Sequence, residues 1–151
     1  MKICILSTSY PRSKDDHWVP FMHYWAKELA KTQEVTVVTS GGPGTKDYEA
    51  RDNVKILRFN YFYPKNLQRL TYRGGMQESF RKELLAKMQL PLFMLAFVIK
   101  SFVAARKCDV VNAHWTLSGL LAIPIKIFLK KPVVLTEHGG GIRGLPRWVN
   151  R

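Results

Sequence analysis

Short apolar runs along the chain predict strands. Lys2 to Ser7 (KICILS), Glu34 to Thr39 (EVTVVT) and Asp109 to Ala113 (DVVNA) are compact and rich in β-branched residues, as in the buried strands of parallel sheets. Val54 to Phe59 (VKILRF) alternates apolar and basic residues, which predicts a half-exposed strand near an edge. Val133 to Thr136 follows a proline, and we expect a central strand that is buried on both faces. The pattern therefore predicts five strands.

The segments that connect these strands have helical periodicity. In the stretch from Trp18 to Lys31 the apolar residues recur at i, i+3, i+4 and i+7, namely Met22, Trp25, Ala26 and Leu29. Met76 to Lys107 and Ser118 to Lys130 also have helical patterns. Strand, helix and strand alternate, and the connections are long enough for crossovers. We therefore predict an α/β fold, a doubly wound parallel sheet flanked by helices, as a single domain over residues 1–151.

The charge balance is the unusual part of the composition. The 151 residues include 24 Lys and Arg against 11 Asp and Glu, which gives a net charge of +13. Such a charge favours an anionic partner: nucleic acid, a phosphorylated substrate or an acidic membrane surface. Cys4 and Cys108 each adjoin a predicted strand and form no disulfide or zinc pattern. Together with an amino terminus whose apolar run is too short for a secretory signal, they predict a cytoplasmic protein.

Leu90 to Ile99 (LPLFMLAFVI) is the longest unbroken apolar stretch. Its ten residues are too few to span a bilayer, which needs about 20. Two interpretations remain open. The stretch is either a crossover helix buried on the sheet, which we favour, or an amphipathic helix that lies in a membrane interface with its basic residues toward anionic head groups. The two are compatible if one flank of the helix is exposed.

Asn60 to Gly75 interleaves aromatic and basic residues, a pattern that can bind nucleic acid by stacking and charge. The alternative is a long surface loop whose aromatic side chains pack against the core. We favour the loop, because no pattern of a known nucleic-acid module accompanies the segment.

Candidate chemistry gathers where two predicted strands end. Glu137, His138 and the glycines 139–141 follow the last strand, and His114 and Trp115 follow the strand before it. In open α/β sheets ligands bind outside the carboxyl ends of strands, and successive glycines allow close approach of backbone N–H groups to an anion. A helix-entry loop with a hydrogen-bonded histidine explains the same residues without a ligand.

Several enzyme classes lack their motifs here. The loop after the first strand contains no glycine, so neither the dinucleotide fingerprint nor the P-loop is present. The four histidines, at positions 17, 23, 114 and 138, have no paired metal-ligand spacing, which predicts no metal site. No nucleophile elbow occurs either.

The ordered segments KICILSTSYPR, WAKELAK, EVTVVTS, DVVNAHW and PVVLTEHGG resemble the amino-terminal domain of retaining glycosyltransferases of family 4, which have the GT-B fold. The resemblance extends from Met1 to about Gly141. It implies a Rossmann-like domain that holds the acceptor, with the nucleotide-sugar donor bound mainly by a second, carboxyl-terminal domain. The reaction then takes place in the cleft between the two domains.

The resemblance also implies roles for individual residues. His138 would be the catalytic residue that approaches the transferred sugar or the acceptor hydroxyl. His114 and Trp115 would flank the cleft, and the loop from Tyr10 to His17 would lie across it. The full set of substrate-binding residues that we expect is Tyr10, Asp15, Asp16, His17, His114, Trp115, Glu137, Gly139 and Gly140. A carboxylate such as Asp15 or Asp16 can bind sugar hydroxyls, although a helix-capping role is an equal alternative for one of them.

We therefore expect the acceptor-binding part of a glycosyltransferase that uses a sugar or lipid-linked acceptor and a nucleotide-sugar co-substrate, with no other cofactor. We expect an incomplete first domain that is inactive alone and works with a donor-binding domain in cis or in trans. Charge and the apolar helix region also predict a peripheral association with anionic membrane at its inner face. The alternative function is a basic binding module for nucleic acid or membrane.

Overall fold

The computed structural model of the chain describes residues 1–71 and 75–138. The first half contains strand β1 (Lys2–Ser7), helix α1 (Pro20–Leu29) and strands β2 (Glu34–Ser40), β3 (Tyr48–Arg51) and β4 (Val54–Phe59), followed by a 3-10 turn at Lys65–Leu67. The second half contains α2 (Met76–Lys82), α3 (Leu84–Ala105), β5 (Val110–His114), α4 (Thr116–Leu121), α5 (Ile123–Phe128) and β6 (Val133–Thr136).

The six strands form one sheet in the order β3-β4-β2-β1-β5-β6. All neighbouring strands pair in parallel except β3 and β4, which form an antiparallel hairpin at one edge. The α/β fold with a parallel sheet and flanking helices is therefore confirmed. The five predicted strands are all present, each within one residue of its predicted bounds.

The sheet has an apolar core on each face. On one face α1 packs through Met22 and Ala26 onto Ile3, Ile5 and neighbouring strand residues. On the other face α3, α4 and α5 pack together, and the aromatic rings of Phe59, Tyr61, Phe93 and Phe97 lie in contact with one another. Helices thus cover both faces, as parallel strands require.

The position of the last strand differs from the expectation over the described residues, which end at His138. Among the described residues β6 has a single neighbour, β5, and it lies at the edge of the sheet, with Val134 and Leu135 half exposed. A run of four apolar residues has the same pattern in a central and in an edge strand, because the number of neighbours is decided by the topology and not by the strand's own side chains. β3 was missed because its residues, YEAR, are mostly polar.

Two further details differ from the sequence pattern. Helix α1 begins at Pro20 rather than Trp18, because proline suits the first helical position and Val19 before it has a positive φ of 47°. β4 lies next to the edge, as expected, but Arg58 on that strand is buried rather than exposed. In the segment from Asn60 to Gly75, Tyr61 packs in the core while Tyr63 is exposed, and Tyr72 lies outside the described residues.

Candidate functional site

The carboxyl ends of β1, β5 and β6 lie side by side. The strand register pairs Ser7 with His114 and His114 with Thr136. The residues that follow β5 and β6, namely Trp115, Glu137 and His138, therefore emerge at the same edge of the sheet. This is the edge at which open α/β sheets bind their ligands.

Two histidines meet at this edge. Nδ1 of His114 lies 2.7 Å from Nε2 of His138, and the two rings are nearly parallel, with an interplanar angle of 14° and centroids 5.0 Å apart. His114 is buried, with only 1% of its surface exposed, whereas His138 is exposed. The buried ring therefore holds the exposed ring in place through a direct hydrogen bond.

Three aromatic side chains surround the histidine pair. Phe21 approaches His138 edge to face at 5.0 Å between centroids, and Trp115 lies 5.2 Å from the same ring. Trp25 approaches His114 at 4.8 Å. Phe21 and Trp25 belong to α1, and both are more than one third exposed. We call Phe21, Trp25, His114, Trp115 and His138 the histidine-aromatic cluster.

The backbone around Trp115 orients its ring toward the cluster. Trp115 has a φ of 66°, which is uncommon for a bulky residue and is maintained only where neighbouring contacts impose it. Its N–H donates to the carbonyl of Thr136 at 3.0 Å, and its own carbonyl accepts the N–H of Gly119 at 3.2 Å. The turn between β5 and α4 is therefore fixed at both ends.

Polar groups lie beneath the cluster. Thr116 donates its hydroxyl to Oε1 of Glu137 at 2.6 Å, and Asn112 donates its amide to the hydroxyl of Thr136 at 3.1 Å. Within the described ranges, Oε2 of Glu137, Oδ1 of Asn112 and Nε2 of His114 are buried and have no hydrogen-bond partner. Buried polar atoms of this kind are rare in folded proteins and often mark a site for water or a ligand.

Burial and, to a smaller extent, the neighbouring His138 together lower the pKa of His114 to about 4. His114 is therefore neutral at neutral pH and carries one ring proton. If that proton is on Nδ1, His114 donates to His138 and the second nitrogen of a neutral His138 is a donor. If His138 donates instead, its second nitrogen is an acceptor. The pair can thus present either hydrogen-bonding role to a substrate hydroxyl.

The structure places Tyr10 in the interior of the domain, and its expected contact with substrate stays a prediction. Its side chain is 1% exposed, and its hydroxyl lies 2.7 Å from Nδ1 of His23. Nε2 of His23 in turn lies 2.9 Å from Oδ2 of Asp52. A carboxylate only accepts, so in the neutral histidine Nε2 carries the proton and Nδ1 accepts from Tyr10. Burial raises the pKa of Tyr10 well above its ordinary value, and the bond from His23 lowers the pKa of Asp52.

The remaining residues of the first loop have different environments. Asp16 accepts the backbone N–H groups of Arg12 at 2.8 Å and Trp18 at 2.9 Å, so its carboxylate orders the loop just before α1 without capping the helix itself. Asp15 and His17 are exposed. The binding roles of these three residues stay predictions, and those of Gly139 and Gly140 fall outside the described residues.

Two buried arginines support the same loop from below. Arg51 donates to the carbonyls of Ser13 at 2.8 Å and Pro11 at 3.2 Å, and to both carboxylate oxygens of Glu49. Arg58 donates to the carbonyl of Pro11 at 2.8 Å. Neither arginine could be predicted from the sequence, because an arginine in a strand is ordinarily exposed and a short polar strand such as β3 gives no signal. Phe21 could not be predicted either, because its position beside His138 depends on how α1 packs.

The comparisons identify the family. The profile of Glycosyltransferase Family 4 matches residues 20–151, which is most of the chain. This protein belongs to glycosyltransferase family 4. The resemblance of its sequence to that family is thereby confirmed. A search of curated proteins finds no match.

Solved structures match the fold of this family 4 chain. A structure of sucrose-phosphate synthase from Thermosynechococcus elongatus is similar with a TM-score of 0.58 and 16% identity, over 99% of this chain and 37% of the other. A second structure of sucrose-phosphate synthase from the same organism has a TM-score of 0.56 and 18% identity, over 92% of this chain and 64% of the other. These likenesses support the GT-B fold. The chain spans less than two thirds of the length of either structure.

Proposed function

We propose that this chain is the acceptor-binding part of a retaining glycosyltransferase, which moves a sugar from a nucleotide sugar to a carbohydrate or lipid-linked acceptor. The observation that carries the proposal is the exposed His138, held by the buried His114 among aromatic rings at the carboxyl edge of the sheet. Family membership gives the reaction class, and the cluster gives a place on this chain where a sugar can bind.

The chemistry of the cluster suits a sugar. Ligand sites are mostly apolar and aromatic, with a few polar groups that fix orientation. The exposed parts of Phe21, Trp25 and Trp115 supply flat apolar surface for the C–H face of a pyranose ring. His138 supplies one nitrogen that can donate to or accept from a hydroxyl. Its bond to His114 fixes the ring before the substrate arrives, which lowers the entropy cost of a productive geometry.

The loop between β1 and α1 is the proposed neighbour of the donor phosphates. Arg51 and Arg58 are the two buried cations beneath it, and Glu49 is their nearby carboxylate. Their guanidinium groups bind the carbonyls of Pro11 and Ser13, so they fix the backbone of the loop against which the diphosphate leaving group would lie in this proposal. In this proposal the donor itself is bound mainly by a second domain, supplied in cis or in trans, so this part is inactive alone.

A transfer assay on the full-length protein that carries this chain tests the proposal. The protein is incubated with a panel of nucleotide sugars and with carbohydrate or lipid-linked acceptors, and release of the nucleotide is followed by chromatography. We expect release with at least one donor, dependent on an acceptor, with retention of the anomeric configuration in the product. Product of inverted configuration contradicts the retaining assignment. Absence of release with every donor contradicts the transfer function.

A further inference from the structure

A row of exposed apolar side chains follows one side of α3. They recur at helical spacings of three and four residues, and each is between 46% and 72% exposed: Leu84, Met88, Leu92, Leu95, Ile99 and Val103. The opposite side of the same helix is buried in the core through residues such as Phe93 and Phe97. Helix α3 is therefore apolar on both sides, but only one side is covered by the protein.

Helices α4 and α5 extend this surface. Both pack on the same face of the sheet as α3, and α3 contacts each of them. Their outward side chains are also apolar and exposed: Leu120, Ile123, Ile127 and Phe128. A groove of about 230 Å³ between α4, α5 and β6 is lined mostly by apolar residues. We call the ten exposed side chains on α3, α4 and α5 the apolar face.

The length and composition of α3 would allow it to cross a membrane, but its packing does not fit a span. Of the described helices it alone is long and apolar enough. A spanning helix in lipid has no sheet against one side, whereas α3 contributes Phe93, Phe97 and Ala104 to the core of this domain. With its buried side fixed to the sheet, α3 can meet a bilayer only along its outer side, parallel to the surface.

Basic residues outnumber acidic ones around the apolar face, although Glu83 directly precedes α3 and Asp47 interacts with Lys100 on that helix. From residue 84 to residue 136 the sole acidic side chain is Asp109, while the basic ones are Lys87, Lys100, Arg106, Lys107, Lys126, Lys130 and Lys131. Lys87, Lys126 and Lys130 are exposed on or beside the helices that carry the face. A second copy of the chain would bring its own positive charge against this one, which opposes self-association through the face. An anionic surface is the complementary partner.

We propose that the apolar face docks on a bilayer that contains anionic lipids, with α3, α4 and α5 lying in the interface and the flanking lysines on the head groups. Apolar area alone gives reversible binding, and basic residues add to it when the surface is negative. This partner is additional to the proposed transfer reaction. Membrane docking does not depend on that reaction, because the two surfaces lie on different elements. The apolar face is on α3, α4 and α5, whereas the histidine-aromatic cluster is on α1 and at the ends of β5 and β6, and only its Trp115 adjoins α4.

Flotation of the full-length protein with vesicles tests the proposal. The vesicles are either phosphatidylcholine alone or phosphatidylcholine with 30% phosphatidylglycerol as the anionic probe. We expect the wild type to float with the anionic vesicles at least tenfold more than with the neutral ones. We expect Ile99→Glu to reduce flotation about tenfold, because it places a carboxylate in the middle of the face. Leu95→Ser, which adds no charge, should also weaken flotation.

Tyr24→Glu is the matched control. Tyr24 is exposed on α1, on the opposite face of the sheet, so the substitution makes the same change in charge away from the apolar face. Circular dichroism checks that each variant is folded. Equal loss in Ile99→Glu and Tyr24→Glu would show that charge alone drives binding and would overturn the docking surface. Failure of the wild type to float with anionic vesicles would overturn it as well, whatever the transfer assay shows.

Light scattering tests whether the partner of the apolar face is a second copy of the chain rather than a bilayer. If the wild type is a dimer that Ile99→Glu converts to a monomer, while flotation is unchanged, the face joins two copies of the chain and the membrane proposal is wrong.

Discussion

Nδ1 of the buried His114 lies 2.7 Å from Nε2 of the exposed His138, with the two rings nearly parallel. The contact joins the ends of two neighbouring strands, β5 and β6, which the register holds side by side. His138 therefore owes its orientation to a residue that a ligand at the surface does not touch. Loss of the inner histidine should disturb the outer one.

The first prediction separates positioning from direct contact. His114→Phe keeps a ring in the core but removes the hydrogen bond, and we expect turnover of the full-length enzyme to fall about tenfold, the effect of one lost bond. His114→Gln can still hydrogen-bond to His138 and should retain more activity. The effect should be in kcat more than in KM, because the ring still packs. Equal activity of His114→Phe and wild type would show that the bond has no positioning role.

The second prediction concerns acid stability. The pKa of His114 is about 4 in the folded chain against an ordinary value of 6.5. Between these values the unfolded chain binds a proton that the folded chain does not, so the free energy of unfolding decreases as the pH falls from 6.5 toward 4. The stabilisation is fully present above pH 6.5. We expect the loss from this group to be on the order of 2 kcal/mol, less than the whole shift implies because the pair reaches solvent through His138.

Urea unfolding at several pH values measures this loss. The difference in unfolding free energy between the wild type and His114→Gln, which has no imidazole at that position, should shrink as the pH is lowered. Parallel pH profiles for the two proteins would mean that His114 titrates normally in the folded chain.

The third prediction concerns the network from Tyr10 through His23 to Asp52. Tyr10→Phe removes the hydroxyl and leaves Nδ1 of His23 buried without its partner, so we expect a loss of about 1–2 kcal/mol in the free energy of unfolding. Tyr24→Phe removes a hydroxyl from an exposed ring on α1, the helix that carries His23, and should change stability by less than about 0.5 kcal/mol. Urea unfolding measures the loss of unfolding free energy in both variants. Equal losses in Tyr10→Phe and Tyr24→Phe would show that the hydrogen bond from Tyr10 to His23 does not stabilise the fold.

The fourth prediction concerns the first loop. Arg51 binds two loop carbonyls and Glu49 through its planar guanidinium, which lysine cannot replace. Arg51→Lys should therefore loosen the loop, and trypsin should cut after Arg12 or Lys14 about tenfold faster, as expected for the loss of one charged hydrogen bond.

Arg81→Lys, on the exposed surface of α2, is the control for the loop and should leave the rate of cleavage unchanged. Mass spectrometry assigns the cleavage sites. If Arg51→Lys resists trypsin as well as the wild type, the loop is ordered by other contacts, such as those of Asp16.

Much of the fold was predictable because most of the helices and strands have a local signal in the sequence. β1, β2 and β5 are short β-branched runs. The periodicity of α1 predicted an apolar stripe at Met22, Trp25, Ala26 and Leu29, of which Met22 and Ala26 are buried, Leu29 is half-buried and Trp25 is exposed. β3 has no such signal, since a short polar strand at an edge gains its stability from pairing with β4 rather than from its side chains. The edge position of β6 could not be predicted for a related reason, because it depends on which strands lie next to it.

The candidate site was predictable only in part. The positions of His114, Trp115 and His138 after strand ends were sufficient to place them at one edge of a parallel sheet. The contribution of Phe21 and Trp25 from α1 could not be predicted, because it depends on the angle at which the helix crosses the sheet. Tyr10 was expected to bind substrate together with the rest of its loop, and the hydrogen bond of its buried hydroxyl to His23 could not be predicted from the sequence.

The most direct test of the proposed function is the turnover of the full-length enzyme with His138→Ala. We expect turnover to fall about 100-fold or more, the usual effect of removing a group that exchanges a proton or hydrogen bond with the reacting hydroxyl. The midpoint of urea unfolding should stay close to the wild-type value, because the ring is exposed. Tyr24→Ala, which removes an exposed ring outside the cluster, should keep wild-type turnover. Wild-type turnover in His138→Ala would contradict the account.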